Sequence, residues 1–166
     1  RQAFGKKEES AVLLAGDEAW DVTFRGARPL PKASHDRWRE STLNNVFYIL
    51  MKRLDEKGFS YEWRGSDVVD NQPVNKVEFF DRDNRSVLVF FHSSTHLPVR
   101  QVWVRRDPAQ HRQIEEITIF TKYRDVGGGV KWPFAIRRER DGEKVFEMFA
   151  ESVRVNQDLT DNLFLL

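Results

Sequence analysis

The chain has 166 residues, with 27 Lys and Arg against 26 Asp and Glu, for a formal net charge of +1. That length corresponds to one ordinary domain that removes about 70% of its unfolded surface from water. Balanced charge argues against a dedicated nucleic-acid binder, and the absence of Cys excludes a disulfide framework, a thiolate metal site and a Cys nucleophile.

No apolar run approaches the roughly 18 residues of a membrane-spanning helix, so no transmembrane segment is expected. The chain opens on Arg1 without a charged-then-apolar leader, which leaves a sorting signal unreadable and suggests a mature or trimmed form. A Cys-free composition fits an oxidising envelope compartment. The conspicuous excess is aromatic: 13 Phe, 5 Trp and 3 Tyr in a chain of mean hydropathy −0.62.

In chain order, residues 11–15 and 19–24 read as short strands separated by a hairpin-like Gly16-Asp17. Pro29 and Pro31 then break structure ahead of one long helix over 34–57. Ser34 is its expected N-cap, Asp36 suits its first turn, and Gly58 supplies its stop. Leu43, Phe47, Leu50 and Leu54 recur at helical spacing, and Val46 and Ile49 widen the stripe.

The rest reads as strands over 59–64, 74–81, 85–92, 99–105, 114–123, 130–138 and 145–155. Asp81-Arg82-Asp83-Asn84 and Asp141-Gly142 are hairpin turns. No repeat or heptad appears. The expected fold is α+β: an antiparallel sheet of about nine strands with one long helix on its apolar face.

Period-2 alternation sorts the strand residues. Trp20, Val22 and Phe24 oppose Asp21, Thr23 and Arg25. Val77 and Phe79 oppose Lys76 and Glu78, Ile117 and Ile119 oppose Glu116 and Thr118, and Trp132, Phe134 and Ile136 oppose Lys131, Ala135 and Arg137. A helix of that length, about 36 Å, hardly covers nine strands. The sheet is therefore expected to curl, around either a packed core or a cavity.

Signs of chemistry are weak. His92 and His96 have i, i+4 spacing, but a strand precedes them and Ser93-Ser94 is turn-like, so a hairpin connection is expected rather than a metal site. Gly127-Gly128-Gly129 lacks the Lys-Ser/Thr ending and following helix of a phosphate cradle. Glu115 and Glu116 point to opposite faces of a strand, which excludes acid–base cooperation within the pair. Arg100, Arg105, Arg106, Arg112, Arg137, Arg138 and Arg140 form a basic tendency with acids interspersed, read first as a cross-strand, salt-bridged outer face, with contact to anionic headgroups or an acidic partner as the alternative. No catalytic residues and no cofactor or metal are expected.

Tyr123-Arg124-Asp125-Val126, followed by Gly129-Val130-Lys131-Trp132-Pro133-Phe134-Ala135-Ile136, resembles a stretch of LolA-like proteins. So do Thr95-His96-Leu97-Pro98-Val99-Arg100 and the tail Glu151-Ser152-Val153-Arg154-Val155-Asn156 with Leu159-Thr160-Asp161-Asn162-Leu163-Phe164. The resemblance covers residues 12–164 and is best after Leu97.

It implies a strongly curved, open antiparallel half-barrel in one domain, with a helical lid over a concave apolar cavity. It also implies a carrier or binder of lipid or lipoprotein acyl chains in the periplasm or cell envelope, with an envelope protein as a further partner. Relative to the family, an initial helix and first strands are expected to be missing before Val12. The candidate ligand-binding residues are Trp20, Val22, Phe24, Phe47, Leu50, Val77, Phe79, Ile117, Ile119, Trp132, Phe134 and Ile136. The competing expectation is a protein-interaction module in which the same rings fill the core.

Overall fold

In a computed structural model, the structure describes residues 2–4, 8–15, 18–107, 111–155 and 160. These include eleven strands: β1 (Gln2–Phe4), β2 (Glu8–Ala15), β3 (Glu18–Thr23), β4 (Gly26–Pro29), β5 (Ser60–Val69), β6 (Gln72–Phe80), β7 (Ser86–His92), β8 (Pro98–Asp107), β9 (Arg112–Asp125), β10 (Lys131–Arg140) and β11 (Glu143–Phe149). The helical elements are α1 (Lys32–Leu43) and a short α2 (Val46–Tyr48) that continues into a π-helical turn (Ile49–Arg53). Among the described residues, no helix is long and apolar enough to cross a membrane.

The chain divides into two compact units at the Asn45–Val46 junction. The first unit contains a four-stranded sheet in the order β1-β2-β3-β4, together with α1. α1 packs on β3, Ala19 is buried, and the Leu30 N–H donates to the Ala19 carbonyl at 2.7 Å. The second unit, Val46–Val155, is built on a seven-stranded sheet in the order β11-β10-β9-β8-β7-β6-β5. Among the described residues, every pairing is antiparallel between sequence neighbours, and neither sheet closes on itself.

The single helix expected over 34–57 is in fact two helical pieces. α1 ends at Leu43, where the Asn44 N–H returns to the Glu40 carbonyl and the Asn45 N–H to that of Thr42. Two consecutive Asn residues, poor in helix interiors, favour the stop. Ser34 is not the cap. Pro31 holds that position, as its missing N–H permits, and the Ser34 N–H donates to the Pro31 carbonyl. Asp36 is held below its ordinary pKa chiefly by the Lys32 ammonium one turn earlier.

The hairpins follow from turn chemistry. Asp70 and Asn71 both adopt left-handed φ (49° and 60°) between the paired residues Val69 and Gln72, as a two-residue primed turn requires. Asp141-Gly142 (48° and 81°) does the same between Arg140 and Glu143. At the β6–β7 turn, the Asp81 carboxylate accepts the N–H groups of Asp83 and Arg85, each at 2.9 Å.

The Asp70-Asn71 turn lengthens β5 to Val69, beyond the expected end at residue 64, and β4 adds a strand the alternation did not mark. β11 ends at Phe149, short of the expected 155. Gly16-Asp17, most of the tail from Asn156, and with it half of the tail motif, lie outside the described residues.

Candidate functional site

Register places residues in rows across the seven-stranded sheet, because directly paired residues share a face. One row reads Tyr61, Phe79, Val87, Trp103, Glu116, Arg140, Glu143 from β5 to β11. The next reads Trp63, Val77, Val89, Gln101, Thr118, Arg138, Phe146. Phe120, Ile136 and Met148 continue the same face on β9–β11. This face is apolar over β5–β8 apart from Gln101; over β9–β11 it stays apolar at Phe120, Ile136 and Met148 and turns polar and cationic toward Glu116, Thr118, Arg138 and Arg140.

The 46–53 segment lies on the apolar half. Val46 and Ile49 join Phe79, Val87, Val89, Trp103 and Phe120 in one buried cluster, flanked by Phe47, Phe59, Val77, Phe91, Tyr123 and Ile136. The Phe47 ring meets Phe120 edge-on at 5.2 Å and Trp132 at 4.8 Å. Gln101, only 3% exposed, accepts the Val46 N–H on its Oε1 at 2.9 Å. A polar side chain in an apolar row is thereby satisfied by the otherwise orphaned first donor of the segment. Tyr123 closes the other flank: its hydroxyl donates to the Pro98 carbonyl at 2.6 Å, and burial pushes its pKa well up.

The candidate residues fall in several places. Phe47, Val77, Phe79, Trp132 and Ile136 converge on or beside the buried cluster. Phe134 is buried, with the Arg124 guanidinium 4.6 Å from its ring centre. Leu50 is on the segment but largely solvent-facing, as are Met51 (74% exposed) and Leu54. Trp20, Val22 and Phe24 belong to the other unit; Trp20 and Val22 are half-buried in β3, and Phe24 is exposed in the turn after it.

Ile117 and Ile119 point away from the 46–53 segment. Their row partners are Val102 and Arg100 on β8 and Glu139 and Arg137 on β10, whereas Glu116, Thr118 and Phe120 share the clustered face. The alternation was correct but its sense was inverted, since both faces of β9 carry apolar groups. The outer-face expectation for the arginines changes for the same reason. Arg105 and Arg140 both reach Glu116 Oε1, at 2.9 and 3.0 Å, on the inner face, while Arg137 pairs with Glu139 at 2.7 Å on the other.

Tyr61 and Trp63 went unmarked by the sequence reading. They extend the apolar rows onto edge strand β5, where Trp63 is 69% exposed and Tyr61 lies 6.1 Å from Phe79. Their alternation with Ser60, Glu62 and Arg64 was the available signal. His92 and His96 sit at the β7–β8 turn, with His92 Nδ1 accepting the N–H groups of Ser94 and Thr95 at 3.2 and 3.3 Å.

An unclosed, sequentially paired antiparallel sheet with a short helical segment on one face defines the class of protein: the fold is LolA-like. An outer membrane lipoprotein-sorting protein domain from Vibrio parahaemolyticus aligns over 91% of this chain with TM-score 0.57 and 12% identity. The chain spans 65% of that structure's length.

A DUF1329 family protein from Desulfovibrio piger aligns over 99% of this chain and 72% of its own, with TM-score 0.60 and 17% identity. A LolA superfamily protein from Nitrosomonas europaea covers 95% of this chain and 70% of its own at TM-score 0.48 and 13% identity; the fold comparison rests on the first two. At these identities the likeness is one of fold. No family model matches the chain, and no curated protein matches it in sequence.

Proposed function

We infer that this protein is a non-enzymatic binder or carrier of the acyl chains of a lipid or lipoprotein, working in the bacterial cell envelope. The observation that carries the reading is the pair of apolar rows from Tyr61 and Trp63 to Trp103, overlaid by a short helical segment in an open sheet. Each methylene buried on such a face is worth about 0.8 kcal/mol, so about ten yield roughly 8 kcal/mol. That corresponds to micromolar affinity before the cost of making room.

Room is made by moving the 46–53 segment, whose inner side is filled by its own side chains in the closed state. A helix this short is marginal without tertiary support, so its stability derives from packing and from the Gln101 anchor. The fold likeness to a lipoprotein-sorting domain supports the cargo class and the envelope location.

The filled space beneath Val46 and Ile49 favours a second reading, a protein-interaction module with a permanently closed core. Titration with a fluorescent fatty-acyl probe separates the two. Saturable binding, accompanied by faster amide exchange in residues 46–53, is expected of the carrier. Absence of saturable binding with an unchanged exchange pattern would replace it with the interaction module.

A further inference from the structure

The polar half of the same face is asymmetric in charge. Arg105 and Arg140 converge on one oxygen of Glu116, and the Arg105 and Glu116 side chains are only 11% and 14% exposed. One carboxylate thus serves two guanidiniums. Exposed Glu143 lies opposite Arg140 in register, and Arg112 pairs with Asp141 at 2.7 Å. Arg138 is left over.

Arg138 is half-buried, flanked across the strands by Thr118 and Phe146, and its guanidinium lies 5.5 Å from the Phe146 ring centre. No carboxylate among the described residues pairs with it. Along β10 its same-face neighbours are Ile136, which packs on the buried cluster, and Arg140. Along β10 toward Arg140, Arg138 is therefore the first cation beyond the apolar residues.

A guanidinium with a free planar fork, partly desolvated and held against an aromatic ring, is suited to bidentate recognition of phosphate or carboxylate. Its low-dielectric flank strengthens that recognition relative to an exposed Arg.

We propose that Arg138 selects cargo lipid by its headgroup, accepting an anionic head at the β9–β11 end of the face while the acyl chains lie beneath the 46–53 segment. This rests on the acyl-binding reading and adds the chemical class of the cargo. Glu116 limits the site to one cation by holding Arg105 and Arg140 back.

The test is displacement of a fluorescent acyl probe from the full chain by detergent-dispersed phosphatidylglycerol and by diacylglycerol carrying identical chains but no phosphate. The wild type is expected to prefer phosphatidylglycerol by about tenfold, one charge-assisted contact's worth. Arg138→Gln should abolish the preference without changing diacylglycerol affinity, and Arg138→Lys, which keeps the charge but not the planar fork, should keep only part of it. Inorganic phosphate alone should displace nothing, because the site holds a lipid head and not a free anion.

Equal displacement by both lipids in the wild type, or an equal loss for both in Arg138→Gln, overturns the headgroup role and leaves acyl binding standing. Displacement by neither lipid overturns acyl binding, and the headgroup role with it. Amide exchange of each variant shows whether the sheet is intact.

Discussion

Gln101→Met removes the acceptor that holds the start of the 46–53 segment and nearly preserves side-chain volume. The Val46 N–H, in a residue with no exposed surface, is then buried without a partner, at a cost of about 1–3 kcal/mol. The structure says where that cost falls. The bond joins the segment to β8, so it is lost on opening as well as on unfolding.

If the closed form alone bears the penalty, the open form gains about 5- to 150-fold in relative population. Acyl-probe affinity should rise as that population rises, until the open form dominates. Amide exchange of residues 46–53 should accelerate in parallel, with β7 and β8 protected as before. A Gln101→Met protein that loses stability and probe affinity together, with exchange accelerated throughout the sheet, would refute the idea that the segment is a separately movable cover.

Four other outcomes follow from the same geometry. Glu116→Gln leaves Arg105 and Arg140 without their shared carboxylate and should cost about 2–3 kcal/mol in urea unfolding, less than for a fully buried pair because Arg140 is 41% exposed. In lipid displacement, the same variant should strengthen the preference for an anionic head, since two guanidiniums are released beside Arg138. Tyr123→Phe removes the donor to the Pro98 carbonyl and should cost about 1 kcal/mol in urea unfolding.

The fourth concerns acid. Burial alone would raise the Asp81 pKa, but the N–H groups of Arg85 and Asp83 and the Arg85 guanidinium outweigh it and hold the carboxyl below its ordinary value. A carboxyl depressed on folding contributes stability above its unfolded pKa of about 4 and loses it as pH falls through the lower folded value. The stability gap between wild type and Asp81→Asn should therefore be widest near neutrality and narrow below about pH 4.

Much of the seven-stranded sheet was legible because period-2 alternation and turn residues are local signals. The Asp81–Asn84 and Asp141-Gly142 turns, and the convergence of Phe47, Val77, Phe79 and Ile136, follow from them. The helix break was missed because the stripe from Leu43 to Leu54 keeps helical spacing through Asn44-Asn45, so periodicity ran across a boundary set by weak propensity. Leu50 and Leu54 then appear as core residues in the pattern while facing solvent in the structure.

Ile117 and Ile119 failed for a different reason. Glu116 and Thr118 look like solvent-facing partners, yet Glu116 is drawn inward by Arg105 and Arg140, residues 11 and 24 positions away. Long-range ion pairing of that kind leaves no local trace. Tyr61 and Trp63 were obscured by the charged residues between them on a strand extended by the Asp70-Asn71 turn.

The central claim is that the apolar face holds acyl chains, and native mass spectrometry of protein purified without harsh detergent tests it most directly. The account predicts a population carrying additional mass that dissociates as intact lipid or fatty acid. Spectra showing the bare chain alone, both as purified and after incubation with phosphatidylglycerol, would contradict it.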